Sequence, residues 1–240
     1  KLIGAMAYPA VVSLVALVIV IFLVTYVVPQ VAQAFTSTRK QLPGLTVFML
    51  ALSDFVRHWG WLLLAASVAG VTAFVLALRG AAFRLRFDRF WLTVPLFGRL
   101  ARGYNAARFA ATLGMLAGAG VPILKALQSA AETLSNTQLR ADALEALVQV
   151  REGAPLGSAL ASKKRFPGLL AMFARLGEQT GQLPEMLSRA GRQLSGEVQR
   201  RAMALATLLE PLLIVGMGLV VMLIVMSVLQ PIIQLQSFVK

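Results

Sequence analysis

Cysteine is absent from this chain, histidine occurs once, and ten acidic residues stand against twenty-three lysines and arginines. Without a thiol there is no disulfide, no thiolate nucleophile and no thiolate metal site. A lone His58, with no H-E-x-x-H and no G-x-x-x-x-G-K-[ST], leaves out the usual groups for metal-assisted hydrolysis and for cradling a nucleotide phosphate. No stretch alternates with period two for long enough to argue a strand. Charged residues make up only 14% of the chain. What fills their place is hydrocarbon: 58% of the residues are hydrophobic, and the mean hydropathy is +0.75. That composition belongs in a membrane rather than in a soluble domain. A net charge of +13 would otherwise suggest nucleic acid. The hydropathy instead assigns the basic residues to the cytoplasmic loops of a membrane protein, and nucleic-acid binding is set aside.

Three stretches are long enough to cross about 30 Å of hydrocarbon at roughly 1.5 Å per residue. From Leu2 to Thr38 no residue is charged, and Pro9 to Val28 is a run rich in Val, Leu and Ile. A second uncharged stretch, 59–78, is bounded by Arg57 and His58 before it and Arg79 after it, with Trp59 and Trp61 where interfacial aromatics belong. A third lies between Glu210 and Lys240. Arg79, Arg84, Arg86 and Arg89 follow the second stretch, and Arg192, Arg200 and Arg201 precede the third. The positive-inside bias therefore makes the segment between them cytoplasmic. The expected order is a transmembrane span over 1–29, a periplasmic loop 30–58, a span over 59–78, a cytoplasmic domain 79–204, a span over 205–231 and a periplasmic tail 232–240. The N-terminal end is then cytoplasmic and the C-terminal end periplasmic.

Within the cytoplasmic segment the pattern is amphipathic helix interrupted by turn chemistry. Gly120 with Pro122, Gly153 with Pro155 and Gly181 with Pro184 each set a residue tolerant of left-handed backbone after one helix and a proline near the start of the next. Ser135-Asn136-Thr137 and Phe166-Pro167 add two more breaks, which divides the segment into six helices. The last shows the clearest stripe, with Leu183, Met186, Leu187, Ala190, Leu194 and Val198 at three- and four-residue steps. Only Glu210-Pro211 separates it from the third span, so the two are expected to run together. The fold class is an all-α membrane protein, with three transmembrane helices and a six-helix cytoplasmic bundle between the second and third.

Pro9 and Pro29 frame the first span just as Pro211 and Pro231, also twenty residues apart, frame the third. Read as an internal repeat, this predicts that a further cytoplasmic domain precedes the first span in the parent protein.

The opening KLIGAMAYPAVVSLVALVIVIFLVTYVVP resembles the signature of the F component of type II secretion systems, a family shared with the PilC platform of type IV pili. Lys1, Tyr8, Pro9 and Pro29 are the signature positions that match. Further similarity lies in LPGLTVFMLALSDF, LGMLAGAGVPILKAL, FPGLLAMFARLGEQTGQLPEML and LEPLLIV, so the resemblance covers nearly the whole chain. Ser53-Asp54 and the ending LQPIIQL lean toward the secretion member. The resemblance implies a platform in the bacterial inner membrane that contacts a cytoplasmic secretion ATPase and other inner-membrane components. It further implies a homo-oligomer that supports assembly of pseudopilins for protein export across the outer membrane. The residue inventory, for its part, offers no catalytic residue, no cofactor site and no metal site.

Candidate contacts with a partner or a second protomer are Glu178 and Glu185, carboxylates in an otherwise basic domain, together with Arg102 and Lys125. Ala65, Ala69, Ala73 and Ala77 form a small-residue stripe at four-residue spacing, suited to close helix packing in lipid. The intrachain first span is its favoured partner and a second protomer the alternative. A transporter is the rival function, weakened because the three spans carry no ionisable residue in their interiors.

Overall fold

The structure, a computed structural model, describes residues 2–30 and 44–236. All regular structure among these residues is helical. Helix α1 (Leu2–Phe22) continues into a π-helical turn, Leu23–Val27. Helix α2 (Gly44–Ala77) is followed by α3 (Ala81–Thr93), α4 (Phe97–Gly118), α5 (Ile123–Glu132), α6 (Thr137–Arg151), α7 (Leu156–Ser162), α8 (Gly168–Thr180) and α9 (Leu183–Gln236). Among the described residues, three segments are long and apolar enough to cross a membrane: Val11–Gln30, Gly44–Ala77 and Leu183–Ser227. The chain divides into two compact units, Lys1–Phe74 with Met203–Lys240, and Val75–Ala202.

The first unit buries little of itself. Val24 and Val28 from the end of the first span, Met49 from α2 and Ile224 from α9 form its small core. Thr46, Met49 and Ser53 follow one another at three- and four-residue steps and so share one face of α2, while Ile224 and Ser227 share a face of α9. The Thr46 hydroxyl donates to the Ser227 carbonyl at 2.7 Å. The Ser53 and Ser227 hydroxyls are buried without a hydrogen-bond partner among the described residues.

Helix α2 begins at Gly44, well before Trp59, where the hydropathy pattern starts the second span. Asp54, Arg57 and His58 lower the hydropathy of this turn without opposing helix, since all three stay exposed while Met49 and Ser53 face inward. The first span likewise reaches Gln30. The expected loop 30–58 therefore contains helix from Gly44 onward, and its residues 31–43, with Arg39 and Lys40, lie outside the described residues.

The second unit is a packed bundle. Gly120, Gly153 and Gly181 take φ values of 81°, 97° and 71° at the ends of α4, α6 and α8, a backbone that a Cβ would strain. The turn before α6 is pinned by side chains. Asn136 Oδ1 accepts from the Gln138 and Leu139 amides, both at 3.1 Å, and so caps the helix. Asn105 Oδ1 accepts from the Ser135 amide at 2.9 Å, and the Asp88 carboxylate accepts from the Thr137 amide at 2.8 Å. Helices α3 and α4 thereby hold the start of α6.

The core of this unit runs through Phe109, Leu113, Leu127, Leu139, Leu160, Leu170 and Leu187, interleaved with fully buried alanines. The Phe109 and Phe166 rings lie 5.5 Å apart. Alanine and glycine let the backbones close on one another. A Cβ on Gly191 of α9 would stand 2.9 Å from the Ala111 nitrogen of α4, and one on Gly157 of α7 would stand 2.8 Å from the Arg175 nitrogen of α8. Helix α3, which the sequence pattern leaves as a basic stretch, buries Leu92 in this core.

Helix α9 is continuous over 54 residues. Proline at 211 cannot donate to the Thr207 carbonyl, yet the helix passes through it. The same helix supplies Leu187, Ala190 and Leu194 to the bundle core and Ile224 to the other unit's core.

Candidate functional site

The expected contact residues fall at separate places. Glu178 sits near the end of α8, and its carboxylate reaches back to the first turn of α7, accepting from the Leu156 and Gly157 amides at 2.5 and 3.1 Å. Pro155 precedes that helix and offers no side-chain cap, so a carboxylate from the neighbouring helix satisfies two of the four amides a helix start leaves open. Glu185 lies in the first turn of α9 and pairs with Arg189 at 2.7 Å across one helical turn, both side chains about half exposed. Each acid thus has its own local partner. Lys125 is exposed on α5. Ala65, Ala69, Ala73 and Ala77 are all exposed on α2, so the expected first-span partner does not cover the stripe. Tyr8 and Pro9 lie within α1, Pro29 lies in the helical turn after Val27, and Lys1 lies outside the described residues.

Arg102 belongs to a feature that one-dimensional spacing does not reveal. Arg99 and Arg102 on α4, Arg165 just before Phe166, and Arg201 on α9 line a single cleft of about 180 Å³, with Glu197 beside them. Arg165 is anchored by the buried Asp142, whose two carboxylate oxygens accept from one guanidinium nitrogen at 2.7 and 2.9 Å. Arg201 pairs with Glu197. Arg102 Nε donates only to the Gly98 carbonyl of its own helix, at 3.2 Å. Among the described residues, neither Arg99 nor Arg102 has a carboxylate within salt-bridge reach. Four guanidiniums therefore share two carboxylates.

A further ion pair joins the middle of α6 to the end of α7. Lys163 Nζ and the Glu145 carboxylate are 2.6 Å apart, the ammonium mostly buried and the carboxylate largely exposed. The hydrogen bond from Lys163, with its charge, holds the Glu145 carboxyl below its ordinary value, against a small opposing effect of burial.

Described residues that are helical in all their regular structure, with three candidate spans among them and a packed bundle, define a polytopic helical membrane protein. The chain belongs to the type II secretion system protein F family, whose model matches residues 109–231. It is 40% identical to a type II secretion system protein F from Pseudomonas aeruginosa over 235 residues, covering 98% of this chain and 58% of that protein. A protein F from Aeromonas hydrophila is also 40% identical, over 100% of this chain and 62% of its own length. A type IV pilus assembly protein TapC from Aeromonas hydrophila is 32% identical over 240 residues, covering 58% of its length. The secretion relatives thus stand nearer than the pilus relative. The chain spans about three fifths of the length of these relatives.

Proposed function

We propose that this chain is part of an inner-membrane platform of a type II secretion system, which couples a cytoplasmic ATPase to pseudopilus assembly for protein export. Other components of the secretion apparatus would be its partners, and the platform would act as a homo-oligomer. The family assignment supports the apparatus. The observation that carries the coupling is α9, a single helix that gives Leu194 to one core and Ile224 to the other. A push on the bundle needs a mechanical route into the bilayer, and a hydrogen-bonded helix supplies one that a loop would not. On this reading Val75–Ala202 faces the cytoplasm, consistent with the arginines near its two ends. The platform contributes no chemistry of its own and is moved by its partner.

The test is to interrupt the helix without unfolding either unit. Inserting four Gly-Ser residues after Ala202, in the full-length protein in its host, should abolish export of a reporter exoprotein while membrane insertion and protease resistance of the bundle persist. Export at the wild-type level through the interrupted helix would remove the coupling role.

A further inference from the structure

We propose that the arginine cleft between α4, the Phe166 turn and α9 of the bundle is a binding site for a phosphate group. The argument is one of charge, shape and size. Four arginines line or border the space, and Glu197 with Asp142 neutralises two of them. Arg99 and Arg102 are left with no carboxylate partner among the described residues, so an occupant of about two negative charges balances the cleft. A phosphate monoester carries roughly −1.5 to −2 near neutral pH, whereas a single carboxylate would leave one guanidinium unmatched. Guanidinium forks match tetrahedral oxyanions through paired N–H donors, and four of them converge here from three chain segments, one held in place by the buried Asp142.

Size decides what the phosphate belongs to. The cleft of about 180 Å³ is many times the roughly 10–15 Å³ that admits one water, yet falls short of the roughly 300 Å³ at which pockets for whole drug-sized ligands begin. The enclosed part of this open cleft accommodates a phosphate head, with the remainder of any larger molecule left outside it. Phe166 and Leu194 form an apolar wall beside the arginines, suited to the carbon of an ester. Two sources share this chemistry: free inorganic phosphate, and the monoester head group of phosphatidic acid. The inference goes beyond the coupling role and does not depend on it.

The experiment uses the full-length protein in detergent and in lipid nanodiscs, comparing wild type with Arg99→Gln/Arg102→Gln. Both arginines are at least partly exposed, so the double variant should keep its helix content by circular dichroism. Arg140→Gln/Arg151→Gln, away from the cleft, is the control. In detergent, calorimetric titration with inorganic phosphate should show saturable binding at constant ionic strength, weakened at least tenfold in the cleft variant and unchanged in the control. Arg99→Lys/Arg102→Lys should lie between, since it keeps the charge and loses the fork.

Nanodiscs with and without phosphatidic acid then separate the sources. Retention of phosphatidic acid by wild type but not by the cleft variant, in native mass spectrometry, identifies a lipid head group. Equal retention, with phosphate titration intact in phosphatidic acid nanodiscs, identifies the free anion. Absence of phosphate binding together with equal lipid retention overturns the proposal. So does a cleft variant that loses only its co-purification with an acidic protein partner, which would make the cleft a protein-docking site.

Discussion

The two units of this chain use the same element, the α-helix, to opposite ends. In Val75–Ala202 the large side chains Phe109, Leu113, Leu127, Leu139 and Leu187 are fully shielded, and fully buried alanines fill the spaces between them. In the other unit Leu14, Leu64, Leu212 and Ile214 each leave more than 60% of their surface uncovered, and among the described residues four buried hydrophobic residues make its core. The bundle derives its stability from removing apolar surface from water. The spans have no such gain to make against each other in lipid, so their few internal contacts rest on packing and on polar links such as Thr46 to Ser227. A mutation of one chemical kind should therefore have different consequences in the two units.

The largest contrast is expected from truncating a big side chain. Phe109→Ala removes a ring with no exposed surface that packs on Phe166, and should cost about 3–5 kcal/mol of bundle stability by the usual scale for buried aromatics. Leu64→Ala on α2, at 69% exposure, should stay within about 0.5 kcal/mol. Urea unfolding in mild detergent, followed by circular dichroism and by protease resistance of the bundle, measures both. Comparable losses at the two positions would contradict the division into a self-packed unit and a lipid-facing one.

The same contrast marks what the sequence makes legible. Helix ends in the bundle are written in local chemistry, and the breaks at Gly120, Gly153 and Gly181 fall where glycine followed by proline places them. Asn136 is likewise readable as a cap because capping needs only the next three residues. The start of α2 is not readable by hydropathy. Asp54 and Arg57 look like the edge of a span, although a charged residue on the exposed face of a helix costs little. The arginine cleft is hidden for another reason: Arg99, Arg165 and Arg201 are far apart in sequence and meet only through packing. Glu178 stands out in sequence as an acid among bases, yet its hydrogen bonds go to amides more than twenty positions earlier.

That residue gives the next effect in size. Glu178→Gln keeps the shape of the side chain and one acceptor oxygen while removing the negative charge at the start of α7. A loss of about 1 kcal/mol is expected, in the range of helix caps and favourable charge at a helix N-terminus. Hydrogen exchange should show the Leu156 and Gly157 amides losing protection ahead of the rest of the bundle. Unchanged exchange there, with stability intact, would mean that the carboxylate serves something other than the helix start, and docking by a partner would be its remaining use.

The smallest effect concerns Glu145, where the bundle is again locally organised but the carboxylate faces water. Because its folded-state value lies below the ordinary one, the pair with Lys163 contributes stability that is present above the normal carboxylate range. The contribution fades as pH falls through the depressed value. Wild type should therefore exceed Glu145→Gln in melting temperature at neutral pH, with the gap closing on acidification. Solvent around the carboxylate keeps that gap small, and raising salt should narrow it further. A gap that widened toward acid would reverse the sign of the linkage and contradict a lowered Glu145 carboxyl.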